Sequence, residues 1–303
     1  MRELVIISGK GGTGKTSIVG SLAALGKSKV VVDCDVDASD LHLLLNNNVT
    51  EIHDFIVSCK ASINRQRCSD CGLCADYCRF DAIKYEQGEY RIDQFACEGC
   101  GVCRYFCPEY AIAYEPVKSG EWFISHTDHG PLVHARLGIA ESNSGRLVSL
   151  LRQKAREIAD KNEYDLVLID GPPGIGCPVI ASITGASYVL IVTEPSQSAF
   201  HDLNRLLELI EHFKINCGVV INKSDINLTL TDHIKKDVQA RGIRVVAEIP
   251  FDPMMTEAQI NSQTLIEYTV NDSTRKIEQI WKTIYNEMQS SPGFQQNSKK
   301  EIL

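Results

Sequence analysis

The sequence predicts an α/β fold: a mostly parallel, doubly wound sheet with helices on both faces, interrupted by a small inserted α+β module. Three observations carry this. Apolar runs such as Leu4-Val5-Ile6-Ile7, Val30-Val31-Val32 and Leu166-Val167-Leu168-Ile169 are continuous rather than alternating, which suits strands covered on both faces. These runs lead into glycine-rich or acidic loops, the edge at which such sheets bind ligands. Between residues 46 and 116 the strand–helix alternation stops, and one cysteine pattern occurs twice.

At 303 residues the chain has room for one large α/β domain and a small module. Hydrophobic residues make up 44%, enough for a sizeable core. A net charge of −8 without a basic stripe argues against nucleic acid as a main partner. The chain opens on a core strand, without a leader-like segment and without an apolar run of about 18 residues. The expectation is therefore a soluble, cytoplasmic protein with no stable membrane insertion. Disulfides are disfavoured in that compartment, yet there are 12 cysteines, eight of them between Cys68 and Cys107. Clustered cysteines in such a setting point to metal.

The first strand runs into Gly9-Lys10-Gly11-Gly12-Thr13-Gly14-Lys15-Thr16, and a helix is expected over 17–26. Strand, glycine-rich loop and helix are the context that the phosphate-cradling pattern G-x-x-x-x-G-K-[ST] requires. Glycines let the backbone close around phosphate with its N–H groups inward, and the helix adds its positive end. Lys15 is placed to reach the β and γ phosphates, and the Thr16 hydroxyl to ligate Mg²⁺. Ser17 completes the nucleotide-binding set of this loop.

Lys10 is not needed to hold phosphate within one subunit. With it the loop resembles the deviant Walker A motif of the MinD/Mrp/ParA group of P-loop ATPases. The resemblance implies ATP and Mg²⁺ as ligands and a homodimer in the ATP state, with Lys10 reaching across the interface to the other protomer's nucleotide. The next apolar run ends in Asp33-Cys34-Asp35-Val36-Asp37. Its Asp-x-Asp is similar to the second motif of the same family. That implies Asp35 as the residue orienting the attacking water and Asp33 as a magnesium residue acting through water. Lys10, Lys15 and Asp35 are thus the expected catalytic residues. A helix over 38–45 follows, and capping it is the plainer role for these aspartates.

The duplicated segment reads Cys68-x-x-Cys71-Gly72-x-Cys74-x-x-x-Cys78, then Cys97-x-x-Cys100-Gly101-x-Cys103-x-x-x-Cys107-Pro108. Zinc knuckles use two cysteines each and leave the third and fourth of each run without a role. The pattern is similar to the bacterial ferredoxin run, in which the fourth cysteine ligates the other cluster. That resemblance implies two [4Fe–4S] clusters, one on Cys68, Cys71, Cys74 and Cys107, the other on Cys78, Cys97, Cys100 and Cys103. It places each fourth cysteine at the start of a helix. Arg79 stands where ferredoxins usually carry proline, which bears on local rigidity rather than on ligation.

The α/β pattern resumes with strands expected at 121–125 and 130–138. His134 and Arg136 fall there without an assigned role. Asn143 or Ser142 is expected to cap a helix reaching residue 162, with Leu147, Leu150, Leu151 and Ile158 on one face. The run ending in Asp170-Gly171-Pro172-Pro173 resembles a Walker B strand and switch loop, which implies Asp170 in the magnesium shell and a Gly171 N–H near the γ-phosphate. Cys177 follows and reads as a buried small hydrophobe at a helix start, as do Cys34, Cys59 and Cys217 in their own segments. Strands are expected at 186–193, 216–221 and 245–249, with helices at 198–214 and 231–241. Asn222 and the loop at Pro250 are similar to the family's base-bordering positions. The stripe Ile277, Ile280, Trp281, Ile284 and Met288 reads as core packing, and the tail from 290 as disordered.

The expected organisation is a discontinuous ATPase domain (1–58 and 117–290), an inserted ferredoxin domain (59–116) and a tail (291–303). The expected function is an ATP hydrolase coupled to electron transfer with an unidentified redox or metalloprotein partner. The alternative is an assembly or carrier ATPase for iron–sulfur clusters or metals. A C-x-x-C pair late in the ATPase domain, which scaffolds of the Mrp type carry, is absent from this sequence. A positioning switch with structural clusters is the third reading.

Overall fold

A computed structural model describes residues 1–138 and 144–290. The chain divides into two compact units. One holds Met1–Ile52, Trp122–Arg136 and the described residues from Ser144 onward; the other is built on His53–Glu121.

In the first unit, β1 (Arg2–Ser8) is buried along its whole length and leads to α1 (Lys15–Ala23), which starts and ends earlier than its sequence suggests. Next comes β2 (Lys29–Asp33). The helix expected over 38–45 is a single turn, α2 (Leu41–Leu44). Residues 38–40 are held in a loop instead: the Asp33 carboxylate accepts hydrogen bonds from Ser39 Oγ (2.8 Å) and Leu41 N (3.1 Å). The chain leaves this unit on β3 (Asn48–Ile63), crosses the second unit, and returns on β6 (Ile112–Thr127). Both strands are 16 residues long, far longer than the short strand expected at 121–125.

Between them lie α3 (Leu73–Asp76), β4 (Ile83–Glu86), β5 (Glu89–Ile92) and α4 (Val102–Tyr105). A two-residue turn joins β6 to β7 (Gly130–Leu137). The cap expected at Ser142 or Asn143 lies outside the described residues, as does the tail from 291. The remainder alternates: α5 (Ser144–Lys161), β8 (Leu166–Pro173), α6 (Cys177–Ile183), β9 (Tyr188–Thr193), α7 (Gln197–Phe213), β10 (Cys217–Asn222), α8 (Leu228–Ala240), β11 (Arg244–Ile249), α9 (Met254–Ile260), α10 (Leu265–Tyr268) and α11 (Asp272–Ser290).

The sheet order is β11-β10-β9-β1-β8-β2-β7-β6-β3. The pairings from β11 through β7 are all parallel. β1 and β8 are neighbours although far apart in sequence, so the loops after β1, β2 and β8 emerge together at the C-terminal edge. α11 packs Ile277, Ile280, Ile284 and Met288 into the core with Leu4, Ile6, Ile18 and Leu22, as its stripe predicts. α5 buries Leu147, Val148, Leu151, Ala155 and Ala159, while Leu150 and Ile158 sit at the margin of that face. Its Arg152 is buried as well, contacts Glu3 and donates to the carbonyls of Ala181 (2.5 Å) and Thr184 (3.0 Å). Arg156 also binds Glu3 (2.5 Å). Removing Arg152 leaves Glu3 with Arg156 alone and takes the side-chain donor from the Ala181 and Thr184 carbonyls. Arg152→Ala is therefore expected to cost about 3 kcal/mol in chemical denaturation, and Arg156→Ala, half exposed, clearly less.

The second unit has its own small core of Ala61, Ala82, Cys97 and Ile112, against which Cys74, Cys78, Cys103 and Cys107 pack. Its two halves repeat locally. Gly72 and Gly101 take φ of 82° and 77° and open the single-turn helices α3 and α4. Only glycine enters that region freely, which explains a glycine after each second cysteine. Contrary to expectation, Cys78 and Cys107 do not start a helix. They follow the end of one, closing the turn through Cys78 N to Ala75 O (3.0 Å) and Cys107 N to Arg104 O (3.4 Å). The cysteines on the helices are Cys74 and Cys103.

Candidate functional site

The loop between β1 and α1 turns on Gly12 (φ 80°) and Gly14 (φ 86°). A Cβ at Gly14 would sit 2.3 Å from Asn222 Nδ2, so no side chain fits there. Asn222, at the end of β10, is 1% exposed and donates from Nδ2 to the Thr13 carbonyl (2.8 Å). Its neighbour Lys223 donates to the Gly12 carbonyl (2.8 Å). Two side chains from β10 thus pin the loop at successive carbonyls. Pro250 follows β11 and is half-buried; the next residue, Phe251, donates its N–H to Asp225 Oδ1 (2.6 Å). Ser17 Oγ accepts from Gln259 Nε2 (2.6 Å).

Lys15 is buried at the first turn of α1 and contacts Asp170 Oδ1, with Asp35 Oδ2 at 3.6 Å. Asp33 and Asp170 stand side by side in the β2–β8 register. Burial alone would draw Lys15 down, but Asp170, Asp35 and Asp33 outweigh it and hold the ammonium above its ordinary range. Burial, reinforced by Asp170, pushes Asp33 up to about 7; burial pushes Asp35 up to about 6 against the pull of Lys15. Three carboxylates share one cation, and Asp170 Oδ2 is buried with no hydrogen-bond partner. An orphaned carboxylate oxygen of this kind is what a hard divalent cation requires. Gly171 lies against β1: a Cβ there would meet Ile6 O at 2.9 Å and Ile7 Cγ2 at 2.7 Å.

Lys10 does not point into this cluster. Its Nζ is held by Glu194 Oε1 (2.8 Å), Ser196 Oγ (3.0 Å) and Ser198 Oγ (3.2 Å) beyond the end of β9. Glu194 also binds Lys223 (2.9 Å) and is held below the usual carboxylate range: burial opposes this, but Lys10 and Lys223 prevail. Glu194 and Lys223 were not singled out from the sequence. A carboxylate and a lysine at strand ends on the loop side were the available signal.

In the second unit the eight clustered cysteines line two separate cavities. One is bordered by Cys68, Cys71, Cys74 and Cys107. The other is bordered by Cys78, Cys97, Cys100 and Cys103. Among the described residues no group of three or more His, Cys, Asp or Glu converges to hold a metal ion as it stands. The donor chemistry fits a cubane cluster, since each cavity carries four thiols in an otherwise apolar wall. Burial pushes the Cys103 thiol up to about 11, with Cys97 and Cys100 adding to the shift, so metal binding there must displace its proton.

The other cysteines differ from expectation in part. Cys34 is buried, but Cys177 is exposed and Cys59 and Cys217 are half-buried. Cys177 does start α6, whose buried face is made by Val179, Ser182 and Ile183 instead.

His134 is buried on β7, stacked between His42 (5.3 Å) and Phe123 (5.0 Å), with Nε2 against Ser125 Oγ (2.9 Å). Burial, then His42, lowers it to about 4 from 6.5. A depressed histidine binds fewer protons folded than unfolded, so its contribution is complete above pH 6.5 and is lost as pH falls towards 4. His134→Gln is expected to flatten the fall of unfolding free energy across that window, by on the order of 3 kcal/mol in denaturant titrations.

Residues 4–265 match the family described as the CobQ/CobB/MinD/ParA nucleotide binding domain. The chain belongs to that family. An uncharacterised protein of Methanocaldococcus jannaschii is 39% identical over 229 residues, 74% of this chain and 79% of its own length. An ATP-binding protein of the same organism is 24% identical, covering 88% of this chain and 81% of its own. The septum site-determining protein MinD of Pyrococcus horikoshii, complexed with Mg-ADP, shares the fold with a TM-score of 0.57 and 17% identity, over 93% of this chain and 95% of that one. Within that family the matched domain is a nucleotide-binding one. Among the described residues no helix is long and apolar enough to cross a membrane.

Proposed function

We propose that this protein is a Mg²⁺-dependent ATP hydrolase whose nucleotide-driven homodimerisation is coupled to two [4Fe–4S] clusters in its cysteine-bearing unit. In this reading the loop from Gly9 to Ser17 holds the phosphates, Lys15 neutralises them, and Thr16, Asp33 and Asp170 border the magnesium shell. Asp35 orients the attacking water, and Asn222 and the Pro250 loop border the base while Asn222 also braces the phosphate loop. Lys10, parked on Glu194 in one protomer, is released to act on the nucleotide of the other. The clusters, when bound, supply one-electron redox chemistry. An unidentified redox or metalloprotein is the partner.

One observation carries the cluster half of this reading: the cysteines partition between two cavities so that each receives three from one run and the fourth from the other. A zinc scheme with two cysteines per knuckle gives no reason for that exchange. Purified without oxygen, the protein should contain about eight iron atoms per chain and absorb near about 400 nm, bleaching on reduction. Stoichiometric zinc without iron would end the cluster reading. Magnesium-ATP should convert monomer to dimer in light scattering.

The exposure of Cys71 and Cys100 favours a second reading, in which a cluster is cargo for an acceptor protein. Reversible redox cycling with iron retained supports the relay; ATP-dependent transfer of an intact cluster to an apo-protein supports the carrier.

A further inference from the structure

The two cysteine runs are identical in spacing, so differences between their surroundings can be compared position by position. The residue before the second cysteine is Asp70 in the first run and Gly99 in the second, both in the left-handed region (φ 53° and 62°). At Gly99 the loop is pressed onto the long strands: a Cβ there would lie 1.9 Å from the Cys59 carbonyl oxygen on β3. Tyr114 on β6 donates its hydroxyl to the Gly99 carbonyl. Just upstream, Gln94 donates to Ala61 O (2.9 Å) and accepts at its own carbonyl from Lys60 Nζ (2.7 Å), both on β3. Cys97 is buried in the unit's core.

The first loop has a different anchorage. Asp70 faces solvent and pairs with Arg65 (3.1 Å), which also binds Glu89 (3.1 Å) and the Tyr90 carbonyl at the β4–β5 hairpin. These ion pairs are a third or more exposed, the class that salt screens and that contributes least. Asp70 Oδ1 also lies 3.6 Å from Cys68 Sγ, so the thiolate that binds metal there faces a carboxylate. Cys68, unlike Cys97, is only half-buried.

We infer that the two sites are unequal in retention: the site of Cys78, Cys97, Cys100 and Cys103 is the resident one, and the site of Cys68, Cys71, Cys74 and Cys107 is the one that releases its iron. A cluster handed to an acceptor would leave from the first site. This rests on the cluster reading above and adds an order to it. Opening the second loop breaks hydrogen bonds to two long strands, whereas opening the first breaks screened surface pairs and one hydrogen bond to the Tyr90 carbonyl on the short hairpin.

The test is iron release from the anaerobically purified, full-length protein to a ferrous chelator. Two phases of about half the iron each are expected, the fast one at least about tenfold faster. Raising the salt concentration should quicken the fast phase alone. Cys71→Ala should remove the fast phase and Cys100→Ala the slow one. Tyr114→Phe, which keeps the ring and loses only the hydrogen bond to Gly99, should quicken the slow phase. A single phase in the unmodified protein, or loss of the fast phase in Cys100→Ala, overturns the order while leaving the clusters in place. A protein that binds no iron overturns the cluster reading itself and this inference with it.

Discussion

Asp35→Asn is expected to lower the maximal rate of ATP turnover at least about a hundredfold while changing ATP affinity no more than a few-fold. The argument is one of position and charge. Asp35 is two residues past β2, on the edge where the phosphate loop ends, with Oδ2 3.6 Å from Lys15 Nζ. Unlike Asp33, whose two oxygens accept from Ser39, Leu41 and the Asp35 N–H (3.0 Å), the Asp35 carboxylate has no other hydrogen-bond commitment shown at the site. It can accept a proton-bearing water without giving up a structural contact. An amide keeps the size but presents a weaker acceptor. Burial pushes Asp35 up to about 6, so in the nucleotide-free enzyme it is increasingly protonated below that pH and cannot accept from water. kcat/KM should therefore fall as pH drops from about 7 through about 6, Asp33 titrating at the upper end and Asp35 at the lower, and the lower component should vanish in Asp35→Asn. Unchanged turnover in the variant would remove the assignment.

What was legible in the sequence was the chemistry that a short stretch of backbone carries by itself. The phosphate loop needs glycine at the φ values of Gly12 and Gly14, and the run of residues states it. The same holds for Gly72 and Gly101 beside the cysteines. Asp33 could be placed at a strand end; Asp170 could not, since β8 runs on to Pro173 instead of ending at Asp170, and the parallel register brings the two together. Contacts made across the sheet were not legible. Nothing local to Asn222 says that its amide braces Thr13, and nothing local to Lys10 says that Glu194 holds it. β3 carries no strand signal in sequence because its first half, Asn48 to Asp54, is largely exposed and rich in polar groups, so it shows neither an apolar run nor strict alternation. α2 is shorter than its sequence suggests because the Asp33 carboxylate competes for the N–H of Leu41 and holds the preceding residues in a loop. The fourth cysteines do not start helices because a glycine in the left-handed region opens each helix earlier and one turn exhausts it.

Lys10→Ala is expected to reduce turnover about a thousandfold, the scale of a cation supplied to transferring phosphate from across an interface. Lys10 Nζ is held by Glu194, Ser196 and Ser198, away from the carboxylate cluster around Lys15. Its departure leaves Glu194 paired with Lys223 rather than stranded, which lowers the cost of releasing it. Complementation separates action within a protomer from action between protomers. On the proposed reading, Asp35 serves the nucleotide of its own chain and Lys10 that of the other. In a mixed dimer of Lys10→Ala and Asp35→Asn chains, one site lacks both groups and the other has both. An equal mixture of two nearly inactive proteins should therefore recover up to about a quarter of the native rate, since half the dimers are mixed and one site in each is complete. If Lys10 acted on its own nucleotide, every site in the mixture would lack one group and no activity would return. Recovery that fails although mixed dimers are shown to form would place Lys10 in its own active site and remove the interfacial role.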